Sequence, residues 1–254
     1  MAVEWRDEAI VLAGRPHGET SLLVSVLSRT HGRHMGLVRG GVGKAARGLW
    51  QPGNRLHVTW KARLADHLGT LSGEMADALA ARVLGHGDRL AVLAAICAVA
   101  EAALPEREAF ADLFEDTAAL LALTADPEAP ALADLTAAYV RWEMGVLADL
   151  GFGLDLTACA ATGATEGLVY VSPRTGRAVS AAPGAPWHDR LLPLPAFLVA
   201  GEASPGVSAE VARAGLRLTG HFLDRHVFVA TRSAGAPPAR ARLTARLEAR
   251  GDIG

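Results

Sequence analysis

The chain has 254 residues, half of them apolar, with 27 acidic against 25 basic side chains and two cysteines. That is enough chain for one large domain or two smaller ones with a real core, and Cys97 and Cys159 are too few for a disulfide framework, which suits a reducing cytoplasm. The N-terminal MAVEWRDEA lacks the apolar stretch of a signal peptide, and the longest apolar run, Leu90 to Leu104, is interrupted by Glu101 and too short to span a bilayer, so a soluble cytoplasmic protein without membrane contact is expected.

In chain order, the first ~75 residues read as strands. AIVLAG, SLLVSVLS, RHMGLVRG, NRLHVTWKARL and HLGTLSGEM are short, rich in Val, Leu and Trp, and separated by turn signals such as THGR (30–33) and QPGN (51–54). Five short strands in that space predict a small closed or nearly closed barrel, which removes the open edges of a flat sheet. After Met75 the texture becomes Ala/Leu-rich with apolar residues at helical spacing: DALAARVL, LAVLAAICAVAEAAL, EAFADLFEDTAALLAL and ALADLTAAYVRWEMGVLADLG. These predict a helical bundle, with Asp134 near one helix start and Gly151 as a C-terminal cap. LVYVS and RAVS read as two short strands around the turn PRTG. VSAEVARAGLRLTGHFLDRHV then returns to helical periodicity, and SAGAPPAR links it to a final basic helix, ARLTARLEAR.

The charge is unevenly spread. Thr20 to Ala65 holds no acidic residue but eight cations: Arg29, Arg33, Arg39, Lys44, Arg47, Arg55, Lys61 and Arg63. The middle of the chain is acidic, and Val211 to Arg250 is basic again, with Arg213, Arg217, Arg225, Arg232, Arg240, Arg242, Arg246 and Arg250 facing Asp224 and Glu248. Basic ends around an acidic middle point to a polyanionic partner, because local potential steers association.

The loop LVRGGVGKAARG (37–48) invites a phosphate-binding reading. It is not a Walker A motif: Val38 stands where the first glycine belongs, and Ala45 replaces the magnesium-holding Ser/Thr. Gly41-Val-Gly43-Lys-Ala-Ala46 fits a loose G-x-G-x-x-A with Asp66 downstream, but that motif needs a following helix and a parallel strand, whereas GLWQPGN breaks any helix within a turn and the next segment looks antiparallel. The loop suits a segment that tracks a nucleic-acid backbone, with Lys44 and Arg47 for charge and Trp50 as a candidate stacking face, while Trp60 alternates with apolar residues as a core side chain does. His31 and His34, and His221 and His226, lack partners for a metal site and read as surface or capping residues; Asp112, Glu115 and Asp116 read as a solvated helix face. No pattern argues for catalysis.

EAIVLAGRPHGETSLLVSVLSRTHGR, GLVRGG, LADLGFGLDLTACAATG and VYVSPRTGRAVS, in that order and spacing, resemble the RecO family of recombinational DNA-repair proteins over almost the whole chain. The resemblance implies an α+β fold: a five-stranded OB-fold barrel over 1–77, then an all-α helical domain over 78–254 with a small zinc-finger-like insertion at 154–195. It implies an ATP-independent mediator that binds single- and double-stranded DNA, anneals complementary strands, works with RecR, and helps load recombinase onto strands coated by single-stranded DNA-binding protein, with RecF and RecA as further candidate partners. No catalysis, no cofactor and a nucleoid-associated location follow from it. Zinc-carrying members place two Cys pairs in the insertion; here Cys159 matches the first position, Thr162 replaces the second, and Ser180 and Pro183 fall near the other pair, so a metal-free finger is expected.

The residues expected to contact DNA are Arg33, Arg39, Lys44, Arg47, Trp50, Arg55, Lys61 and Arg63. Arg213, Arg217, Arg225, Arg240, Arg242 and Arg246 form a second surface for DNA or for an acidic partner tail. Two other readings stay open: a protein–protein adaptor that reaches DNA only through RecR, and an RNA-binding OB module.

Overall fold

The computed structural model describes residues 3–199, 206–230 and 235–251. By spatial contacts the chain divides into two compact units, Met1–Ala129 and Pro130–Gly254.

The first unit is built on a closed barrel of β1 (Val3–His17), β2 (Ser21–Ser28), β3 (Gly32–Val38), β4 (Arg55–Ala62) and β5 (Gly69–Asp77), with α1 (Lys44–Leu49) between β3 and β4. The order around the barrel is β1-β2-β3-β5-β4, antiparallel except for β3 against β5, which pairs Gly36 with Gly69 and Leu37 with Thr70. This Greek-key closure is the OB-fold. β1 closes it by serving two neighbours: Val3–Ile10 pairs with β4, Ala9–His17 with β2, and a bulge between Val11 and Ala13 bends the strand from one to the other. Val11, Val24, Val26, Leu56, Val58, Trp60 and Leu71 fill the interior, as their alternation predicts, and the Trp60 indole donates to the Met35 carbonyl at 3.1 Å. The glycine loop does lead into a helix, contrary to the reading of GLWQPGN, but α1 is a six-residue plug ended by Trp50. β3 and β4 are not sheet neighbours, so the dinucleotide fold is absent all the same.

Residues Ala9–Leu12 and Ser25–Ser28 are buried on successive positions rather than alternate ones. Ile10, Leu12 and Leu27 are buried yet outside the interior cluster, because they face outward under a layer of helices. A strand covered on both sides reads as an unbroken apolar run. The layer is α2 (Leu79–Val83), α3 (Gly87–Ala103) and α4 (Ala111–Ala125), of which α3 packs against β1. Ser25 bonds to Glu101 of α3, and the chain after α3 runs beside β3: the Arg107 N–H donates to the Arg33 carbonyl at 2.8 Å, and Arg33 and Glu106 form a bridge. At the head of β3 the approach is so close that a Cβ on Gly32, itself at φ +65°, would lie 1.9 Å from the Glu108 carbonyl oxygen.

The second unit packs α5 (Leu132–Asp149) against α8 (Ala209–Phe222), with α9 (Pro238–Gly251) on α8. Along the chain between α5 and α8 come the strands of a three-stranded sheet, β6 (Leu168–Val171), β7 (Ala178–Ser180) and β8 (Leu192–Pro193), with short helices α6 (Ala181–Gly184) and α7 (Ala196–Val199). The strands expected around PRTG are β6 and β7. Gly151 takes φ +83° just past α5, as a cap requires.

Candidate nucleic-acid interface

The eight cations of the acid-free segment divide into two classes, because carboxylates from outside that segment reach half of them. Glu8 on β1 accepts from Arg55 Nε at 2.9 Å and from Arg29 Nη2 at 2.7 Å, and Arg29 also pairs with Glu115 of α4. Burial works to raise the Glu8 carboxyl, but Arg55 and Arg29 hold it below its ordinary value. Arg33 is 14% exposed, donates its Nε–H to the Leu104 carbonyl at 2.7 Å, and lies near Glu101 and Glu106. Arg33 and Arg55 are therefore fasteners between elements and leave the set of expected DNA contacts. Glu115 stands on an exposed helix face, as expected, and pairs there with Arg29. Lys61 meets Glu4 at 3.1 Å on the surface, where such a pair contributes little and yields easily to a phosphate.

Arg39, Lys44, Arg47 and Arg63 are exposed and have no ion pair among the described residues. Three of them share a region. The β1–β2 and β3–β4 loops touch, with the Val42 N–H donating to the Thr20 carbonyl at 3.3 Å and Gly41 pressed so closely on Leu22 that a Cβ would fall 2.8 Å from its Cγ. Arg39, Lys44 and Arg47 thus stand beside the end of β1, where exposed Arg15 pairs across the ladder with Leu23. Arg15 lies just outside the acid-free window, so a search by charge run passes over it; its register with β2 is what brings it in. Glu19 is the acidic residue of this loop pair. Arg63 stands apart in the β4–β5 loop, whose Asp66 and His67 carbonyls are held by Arg107 at 3.1 and 3.4 Å.

Trp50 corrects the expectation of a stacking face. It is 4% exposed, part of the barrel interior, and its ring lies 3.1 Å from where Gly73 would carry a Cβ. The exposed loop cations therefore act without an aromatic among them. On the side of β2 and β3 that OB-folds commonly present to nucleic acid, Ser25 is engaged here by Glu101 of α3 and Arg33 by the chain that follows α3. A groove of about 590 Å³ on β1, β4 and β5 is lined by Arg6, Asp7, Glu8, His57, Thr59 and Glu74, a mixture of signs that does not favour a polyanion.

His34, expected at the surface, is 5% exposed inside the barrel, edge-on to Trp60 at 4.8 Å and to Trp5 at 5.1 Å. Its Nε2 is buried with no hydrogen-bond partner among the described residues. Burial holds its pKa below the ordinary 6.5; the His31 carbonyl opposes that shift and the Arg107 charge adds to it. The folded barrel keeps this ring neutral while the unfolded chain protonates it, so stability falls as pH drops through about 6.5. Glu101, whose carboxyl burial raises, works in the opposite direction. The urea midpoint is expected to be lower at pH 5.5 than at pH 7.5, and His34→Phe to flatten that difference; an equal dependence in both proteins would contradict the assignment.

In the second unit the basic set also divides. Arg240 is 7% exposed and locked to buried Glu143, so it is no surface residue. Arg217, Arg225, Arg242 and Arg246 are exposed, Arg213 is half-buried, and Arg232 lies outside the described residues.

The donor chemistry around Cys159 does not suit zinc. Its buried sulfur accepts the Ser180 N–H and Oγ–H, both at 3.2 Å, and one thiolate with hydroxyls falls short of the four N/S ligands a structural zinc takes. Among the described residues no group of three or more His, Cys, Asp or Glu could hold a metal ion. The bonds from Ser180 and Thr162 draw the thiol down to about 6, so the sulfur serves as a hydrogen-bond hub in place of a metal. Elemental analysis is expected to find no stoichiometric zinc, and a chelator to leave the melting temperature unchanged.

Comparison with known proteins gives the family. The family model described as Recombination protein O N terminal matches residues 1–79, and Recombination protein O C terminal matches 84–234. The chain is 51% identical over 245 residues to the DNA repair protein RecO of Rhodospirillum rubrum, covering 96% of each chain. It is 52% identical over 246 residues to that of Rhodospirillum centenum, covering 96% of this chain and 94% of the relative, and 48% identical over 243 residues to that of Cereibacter sphaeroides, covering 95% and 97%. No described helix is long and apolar enough to cross a membrane.

Proposed function

The chain belongs to the RecO family of DNA repair proteins, and from that premise we propose that it is a non-enzymatic, ATP-independent recombination mediator whose barrel, taken as residues 1–77, grips DNA backbones through Arg15, Arg39, Lys44 and Arg47. A role in DNA repair and recombination follows from the family itself. The observation that carries the finer reading is that Arg39, Lys44 and Arg47, exposed and with no ion pair among the described residues, gather beside the end of β1 where two loops of an OB barrel touch; Arg15 there is exposed and feels the charge of Glu101.

Such a surface neutralises phosphates and reads no base edge, so single and double strands both bind and sequence preference is weak. Annealing follows from the same physics. Strands whose charge is neutralised repel one another less, and mobile contacts let them search for register. Four phosphate contacts correspond to a slope of about −2.8 in log affinity against log salt on single strands. RecR, single-stranded DNA-binding protein, RecF and RecA are the partners such a mediator would work with, in the nucleoid.

The test is strand annealing by the purified chain, with bare strands and with strands coated by single-stranded DNA-binding protein. Salt-sensitive acceleration of both supports the reading. Absence of any direct DNA binding would favour an adaptor that reaches DNA through RecR, and matched RNA competitors displacing DNA equally would favour a general OB module.

A further inference from the structure

The turn between β6 and β7 is tied to α8 by two side chains that reach one carbonyl. His221 Nε2 and Arg225 Nη1 each lie 3.1 Å from the Pro173 oxygen, so both donate to it. Arg213, Arg217 and His221 recur every fourth residue along α8 and share a face, about 6 Å apart. Arg225 continues that line in the wider π turn Leu223–Val227, and the tie to Pro173 sets exposed Arg174 beside it. Arg174 and Arg217 have no ion pair among the described residues; Asp224 is the exposed acid nearby in the chain, and Asp155 is engaged by Arg177 at 3.3 Å.

Directly after His221 and Arg225 in the chain stand two members of a stack of three rings, Phe222 and His226. His226 lies 11° from parallel with Phe152 at 4.8 Å and 10° from parallel with Phe222 at 6.3 Å. Phe222 is 3% exposed and closes the inner end, where its ring is 3.7 Å from the position of a Cβ on Gly176 in the same turn. Phe152 is the outer end and is 40% exposed. It is held in place: Gly151 at φ +83° reverses the chain after α5, and the Phe152 N–H donates to the Leu147 carbonyl at 2.7 Å. A rigid ring loses little freedom when something stacks on it.

We infer that Arg174, Arg217, Arg225 and Phe152 form a single-stranded nucleic-acid site in the second unit, separate from the barrel loops. Guanidinium groups spaced along a helix meet successive phosphates, and an outward ring on a preformed stack receives a base. A run of carboxylates alone would satisfy the arginines but not the ring, whereas each nucleotide brings both a phosphate and a base. Unlike the barrel loops, this site has an aromatic partner, so it discriminates unstacked strands from duplex.

The experiment uses the full chain with a thymidine oligonucleotide carrying a photoreactive 5-iodouracil. Cross-linking is expected at the peptide that holds Phe152, and Phe152→Leu is expected to weaken single-strand binding roughly tenfold while Phe152→Trp restores it. Arg174→Gln with Arg217→Gln, two exposed positions, should flatten the single-strand salt slope by about 1.4. Loss of duplex and single-strand binding in equal measure, an unchanged slope with no cross-link, or lost affinity for an acidic peptide with DNA binding intact would each overturn the site. Combining these changes with Arg39→Gln and Lys44→Gln separates the two readings. If only the loop changes matter, the barrel reading stands and this one falls; if only the changes in the second unit matter, the reverse holds.

Discussion

Arg240→Met is expected to lower unfolding free energy by about 3–5 kcal/mol, read as a shift of the urea midpoint. The guanidinium enters the interior between three helices. Its Nε–H and one Nη2–H donate to the two Glu143 oxygens at 2.7 and 2.9 Å, and Nη2 also donates to the Leu216 carbonyl at 2.8 Å. Thr219 gives its hydroxyl proton to the same carboxylate. Glu143 is fully buried, so removing its partner strands a charge where water cannot reach it. Burial acts to lower the Arg240 pKa, but Glu143 holds it above its ordinary value, so the guanidinium stays charged. The pair ties α9 to α5 and α8 alongside buried Leu243 and Leu247, so the loss should appear first as fraying of α9. Glu143→Leu combined with Arg240→Met is expected to recover most of the stability, since an apolar replacement of both partners leaves no orphan. Failure of the double change to recover would mean that the pair itself, and not the cost of breaking it, holds the unit together.

Arg39→Gln, Lys44→Gln and Arg47→Gln together are expected to weaken single-strand binding about a hundredfold near 0.1 M salt and to flatten the salt slope by about 2. The three side chains are exposed and make no ion pair among the described residues, so the urea midpoint should not move. Arg33→Gln should do the opposite. Its guanidinium holds the Leu104 carbonyl and faces Glu101 and Glu106, so stability falls while the salt slope stays. If Arg33→Gln changed the slope and the triple variant did not, the division of the cations by their carboxylate partners would be wrong.

That division marks the limit of what composition can convey. The strands of the barrel were legible because alternation carries the inner face, as in Leu56, Val58 and Trp60, and because glycine turns such as Gly32 and Gly53 punctuate them. The family strings carried the OB order. The ladder partners were not legible: nothing in residues 20–65 says that Glu4 and Glu8 sit opposite Lys61 and His57, which is a matter of β1 register. Nor does a run of positive charge announce carboxylates arriving from α3 and α4. Trp50 was ambiguous for a local reason, since a tryptophan after a glycine loop can as well close a barrel as face solvent. Phe152 escaped notice because one aromatic beside Gly151 has no periodicity; only the fold stacks it on His226 and Phe222.

The strip of chain from Leu104 to Glu108 has a practical consequence for dissecting the protein. It occupies the flank of β3 that β5 does not reach, bonding to Arg33 and abutting Gly32, while α3 roofs Ile10, Leu12 and Leu27. A fragment ended where the strand-like texture stops would bare that flank together with an oily outer wall, and strands left so tend to recruit one another. Truncations meant to isolate the barrel should run to Ala129, where the first compact unit closes.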